Sequence, residues 1–168
     1  MPLVEIEDLP NDARAWVFSA DKTIDPPASD VLLREVDGFL SRWNAHGVPL
    51  TVGRDWKYGR FLTVAVDQST AGASGCSIDG LFRTLKALES RLGASLVTSG
   101  VVFFRGRKGA IECVDRARFT ALSAEGEIGP DTRVFDPTVT TLGEWRARFE
   151  LEAAKSWHSG LLKDKQPA

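Results

Sequence analysis

The chain has 168 residues, 43% of them hydrophobic and 26% charged, with a formal net charge of −2. That length suits one domain of ordinary size. The near-neutral balance excludes a basic coat for nucleic acid and an acidic disordered tail. Its apolar stretches run to only a few residues, too short to cross a bilayer.

The start, Met1 to Asp8, is acidic and lacks the basic-then-apolar order of a secretory signal. Residues 1–13 read as a flexible arm. Ala15-Trp16-Val17-Phe18-Ser19 is aromatic and β-branched, which predicts a strand. Asp25-Pro26-Pro27 breaks the chain. Ser29 or Asp30 then caps a helix, with Leu32, Leu33, Val36, Phe39, Leu40 and Trp43 at helical spacing and Gly47 as its stop. Leu50 to Tyr58 and Arg60 to Asp67 read as a hairpin turned at Gly59, and the apolar run of the second strand predicts a central position.

Ser77 caps a second helix along Ile78, Leu81, Phe82, Leu85, Leu88 and Leu92, ended by Gly93. Leu96 to Phe104 reads as a strand, Arg105 to Gly109 as a turn, and Ala110 to Val114 as the returning strand. Asp115 caps a short helix through Phe119 and Leu122. Thr132 to Asp136 is extended. Thr141-Leu142-Gly143-Glu144 has capping-box spacing and opens a last helix running toward Gly160.

The order strand, helix, strand, strand, helix, strand predicts an α+β fold, a ferredoxin-like βαββαβ sandwich with a mainly antiparallel sheet. The strand at 110–114 adds an edge, and the last helix covers what remains. Residues 14–160 form a single domain in this reading, and 161–168 a frayed tail. Residues 1–30 carry a net −5 and residues 51–120 a net +5, so the acidic N-terminal segment is expected to lie over a basic sheet face.

The most unusual segment is Gln68 to Asp79, which leaves a buried strand and enters a capped helix. Gly72 and Gly75 permit close backbone approach, and helix N-termini attract anions. Ser74, Ser77 and Asp79 supply polar groups, and Arg60 supplies positive charge. These residues point to a small anionic ligand, or a protein partner, at 72–79. A P-loop is rejected, because Cys76 stands where its lysine belongs. Two alternatives remain. One is a thiol-dependent enzyme with Cys76 as nucleophile and His46 as base. The other is an assembly subunit, with homo-oligomers, using a sheet edge or Trp56 and Trp157. The bland reading of Cys76 is a small apolar packing residue.

Phe39-x3-Trp43-x2-His46-Gly47, Tyr58-Gly59-Arg60-Phe61, Ala73 to Asp79 and Ser156-Trp157-His158 together resemble a family of small uncharacterised bacterial proteins. Some members carry an ABC-transporter ATPase label. The resemblance spans about Trp16 to His158 and implies no established activity. The ATPase label finds no lysine-bearing P-loop here.

Cys76 and Cys113 read as reduced thiols of a cytoplasmic protein. Neither cysteine stands at zinc-ligand spacing from His46 or His158, so no metal and no cofactor is expected. Arg105, Arg107 and Lys108 form a solvated hairpin tip rather than a nucleic-acid contact. Trp157 and His158 are read as docking the C-terminal tail.

Overall fold

The structure, a computed structural model, describes residues 3–45, 47–68 and 75–163, with only the backbone of residues 45, 48 and 75–77. Among the described residues the architecture is α+β, with four α-helices and two antiparallel sheets of three and four strands. A two-residue ladder is separate from both sheets. The chain divides into two compact units, residues 1–98 with 137–147, and residues 99–136 with 148–168.

In the first unit, β1 (Arg14–Ser19) and β4 (Thr51–Lys57) flank β5 (Phe61–Asp67), both pairings antiparallel. Strand β5 is central, as its apolar run predicts, and six of its seven residues are buried. Helices α1 (Pro26–Arg42) and α2 (Gly75–Leu92) pack on one sheet face. Leu32, Val36 and Leu40 of α1 and Ile78, Leu81, Leu85, Leu88 and Leu92 of α2 enclose Phe18, Val52, Leu62, Val64 and Val66 from the strands. Burial of each such side chain contributes about 1.5–3 kcal/mol, well above helix propensity differences.

Both ends of α1 differ from the sequence expectation. Asp25, not Ser29 or Asp30, caps it, accepting the Ala28 amide at 2.9 Å. Pro26 and Pro27 occupy the first turn, where a missing N–H costs nothing. The helix stops at Arg42, because Trp43 leaves in an extended conformation and buries its ring near Phe39 (5.6 Å) and Trp16 (6.3 Å). Asn44–Ala45 (β2) then pairs with Val48–Pro49 (β3). Gly47, with φ +80°, belongs to that small ladder and is not the helix stop.

The opposite sheet face carries small side chains at its centre. Ala15, Ala65 and Gly53 stand in register across it. Ile6, Leu9 and Ala13 of the segment expected as an arm are buried here, with Leu142. A Cβ on Gly53 would lie 2.9 Å from the Ile6 Cα and 3.0 Å from the Val4 carbonyl oxygen. Gly53→Val should therefore lower stability by about 1–3 kcal/mol and speed proteolysis within residues 3–13. An unchanged thermal midpoint and cleavage rate would contradict this packing.

The strand expected over 96–104 is divided. Leu96 is buried in the first core, and Val97 makes an isolated parallel bridge to Ser19. Gly100, with φ +74°, interrupts the chain. Strand β6 (Val101–Arg105) begins beyond it, in the second unit.

There the sheet order is β7-β6-β8-β9, with β7 at Ile111–Asp115, β8 at Arg133–Phe135 and β9 at Glu150–Glu152. Strand β7 is an edge strand of this four-stranded sheet. Helix α3 (Arg116–Ala124) starts at Asp115, which accepts the Arg118 amide at 2.7 Å as its cap. Val102, Phe104, Phe119, Ile128, Val134 and Ala153 form this unit's core.

Helix α4 (Leu142–Arg148) opens on the expected box, the Glu144 amide donating to Thr141 Oγ1 at 3.1 Å. It does not continue toward Gly160. Phe149 passes its carbonyl to the Asp136 amide at 2.8 Å, and Leu151 pairs across from Val134. Extended pairing of Glu150–Glu152 with β8 satisfies that backbone, so the helical spacing of Trp145, Phe149 and Ala153 is incidental. Among the described residues no helix is long and apolar enough to cross a membrane.

Candidate functional site

The segment with the most unusual sequence joins β5 to α2. Gly75, Cys76 and Ser77 are the first three residues of that 18-residue helix, and Asp79 is exposed in its second turn. The first four amides of any α-helix lack intrahelical acceptors and form its partially positive end. Gly72, Ser74 and His46 lie outside the described residues.

Arg60 is not brought to this segment. It precedes β5, whereas the segment follows it, and seven residues at about 3.3 Å each separate the two by roughly 20 Å. Its side chain turns to residues 20–24 instead. Nη1 donates to the Ala20 carbonyl at 3.1 Å, and Nε to Thr23 Oγ1 at 3.4 Å. Arg54, the other arginine near the strand, is committed to Asp37 through two bonds of 2.8 Å. The Asp37 hydrogen bonds raise its pKa further above the ordinary arginine value, despite partial burial. The length of β5 was the available signal that Arg60 and the start of α2 lie beyond opposite ends of one strand.

Asp55 is not singled out by the sequence, whereas His158 is read there as docking the tail. Asp55 faces Thr63 across β4 and β5. Burial pushes its carboxyl pKa up, opposed by Lys57 and Arg54 and reinforced by Glu7. It therefore holds its proton to higher pH than an exposed aspartate. Its Oδ2 and the Thr63 hydroxyl are buried with no hydrogen-bond partner among the described residues.

His158, in the second unit, is fully buried. Its Nδ1 lies 2.8 Å from Ser156 Oγ, and its ring stacks on Trp157 at 3.8 Å. Burial pushes its pKa down to about 4, against the attraction of Asp136 and with help from Arg116. It is a neutral docking residue, and the chain beyond it is fastened. Thr120 Oγ1 donates to the Leu161 carbonyl at 2.9 Å, and the Lys163 amide donates to Ser123 Oγ at 2.9 Å.

A half-open cleft of about 450 Å³ lies beside this tail, bounded by Ser123, Ile128, Pro130, Ser159 and Leu162. The Ser123 hydroxyl is already spent on the Lys163 backbone. Among the described residues no three of His, Cys, Asp and Glu cluster as metal ligands. Comparison with known proteins adds no relative: no family model, no curated protein and no solved structure matches the chain.

Proposed function

We propose that the chain is a binding protein that holds a small anionic ligand at residues 72–79. The observation that supports this reading best is the start of α2 at Gly75, soon after β5 ends at Asp67. The amides of Gly75, Cys76, Ser77 and Ile78 are the ones an anion would take. Gly72 allows close approach, Ser74 and Ser77 offer hydroxyls, and Asp79 sets a limit on the charge accepted. Arg60 has no part in it.

The test is a titration of the full chain with inorganic phosphate, followed through backbone amide resonances. Saturable shifts at residues 75–78 are expected, and their absence up to tens of millimolar would overturn the reading.

One rival has an observation of its own. Cys76 is the second residue of α2, where the helix end favours a thiolate. With His46 as base it would be the nucleophile of a thiol-dependent enzyme. Alkylation of Cys76 in a Cys113→Ser background distinguishes the two. Half-maximal reactivity well below about pH 8.5 moves the assignment to the enzyme, and inertness until unfolding removes it.

A cytoplasmic setting rests on the cysteine usage. Kinship with the small bacterial family rests on the residues quoted above. A ferredoxin-like arrangement of residues 14–98 is supported by the order β1-β5-β4 and by two helices on one face. The bridge of Val97 to the outer edge of β1 is parallel, where that arrangement runs its fourth strand antiparallel.

A further inference from the structure

Arg60 is only 8% exposed. Charged side chains are rarely buried to this degree unless paired, and an arginine cannot relieve the cost by losing its proton. Yet among the described residues its guanidinium meets no carboxylate. Its two bonds go to the Ala20 carbonyl and the Thr23 hydroxyl, which are neutral. Asp21, next to Ala20, accepts the Ser95 amide on Oδ1 at 3.0 Å.

The side chain is nonetheless held in one orientation. The Arg60 carbonyl accepts the Ala20 amide at 2.7 Å, and the Gly59 carbonyl accepts the Ile24 amide at 2.8 Å. The turn and the 20–24 segment therefore form one braced unit. A guanidinium has five N–H donors. Nε and one N–H of Nη1 are used, which leaves the second N–H of Nη1 and both of Nη2. Nη2 has no bond among the described residues. That edge is the fork that matches two oxygens of one oxyanion. Lys22 and Thr23 are exposed on the adjoining segment.

We propose that this turn is an oxyanion site distinct from residues 72–79: the Nη1–Nη2 edge of Arg60 receives the carboxylate or phosphate group of a small ligand. The ligand supplies the counter-charge that the fold withholds. The braced turn supplies preorganisation, so little ordering entropy is lost on binding.

The experiment uses the full chain labelled with ¹⁵N. The Nε–Hε resonance of Arg60 and the amides of Ala20 and Arg60 are followed while inorganic phosphate, and separately acetate, is added. Saturable shifts at all three with either anion are expected. Preference for one anion names the ligand group as tetrahedral or planar. Arg60→Lys keeps the charge and loses the fork, so affinity should fall at least tenfold. If that variant does not fold, Thr23→Val removes the Nε anchor while leaving the cation, and should weaken binding several-fold. No saturable shift at Arg60 with either anion would overturn the proposal, and so would undiminished affinity in the folded variants. Shifts confined to residues 75–78 would uphold the earlier reading and reject this one, and shifts confined to the turn would do the reverse.

Discussion

Replacing Arg148 with methionine is expected to cost the second unit about 3 kcal/mol, the lower end of the range for breaking a buried ion pair. Arg148 Nη1 bonds Asp136 Oδ2, and the Asp136 side chain is only 2% exposed while that of Arg148 is 39% exposed. Loss of the arginine leaves a carboxyl group in the interior without its main counter-charge. Partial hydration of Arg148 moderates the attraction, which places the effect at the lower end.

The Asp136 amide also donates to the Phe149 carbonyl at 2.8 Å, which fixes the backbone that carries the carboxyl group. The double variant Asp136→Asn/Arg148→Met should regain most of the loss, because a neutral amide costs far less to bury than an unmatched charge. Urea unfolding, with hydrogen exchange of the β6 and β8 amides, measures both. If the single and double variants are equally destabilised, the loss is one of packing and not of charge.

Local signals were strong wherever one chemistry dominated. Strand β5 is apolar on both faces and could only be central. Helix α2 has one clean stripe between polar flanks and ends at a glycine with φ +69°. The hairpin at 105–109 is bounded by glycines. Signals misled where two periods coincide. Leu142, Trp145, Phe149 and Ala153 satisfy a helical face, but Phe149 and Leu151 also satisfy strand alternation, and pairing with β8 decides between them. Trp43 fits the α1 stripe, yet its backbone is extended and its ring is buried from beyond the helix end.

The candidate site was legible only as a local pattern. Ser77 reads as the cap of a helix, but α2 already begins at Gly75 and Ser77 is its third residue, so the start was legible only to within a turn. Which distant charge joins them is a matter of strand direction, not composition. Arg60 and residues 72–79 are near in sequence but bracket β5. His158 shows the same limit. The Trp157-His158 pair suggested a docked tail, but that Phe119 is the ring it docks against is decided only by the fold.

That burial sets the pH response of the second unit. The pKa of His158 is lowered from 6.5 to about 4 on folding. Between those values the unfolded chain binds a proton that the folded chain refuses, so stability falls as pH falls. The contribution is fully present above about pH 6.5 and has been lost by about pH 4. The corresponding free energy is about 3 kcal/mol. Asp55, whose pKa is raised, acts with the opposite sign, because its proton is bound more tightly by the folded state. A raw pH profile therefore mixes the two. His158→Phe removes one of them: the ring still stacks on Trp157, but no proton can be taken up. Unfolding free energies of wild type and variant should converge as pH falls from 6.5 to 4, the wild type losing about 3 kcal/mol relative to the variant. The Ser156 bond is lost in the variant at every pH and cannot imitate a pH-dependent difference. A constant gap between the two curves would mean that His158 takes up its proton equally in the folded and unfolded chain, and that the tail can admit a charge without leaving its place.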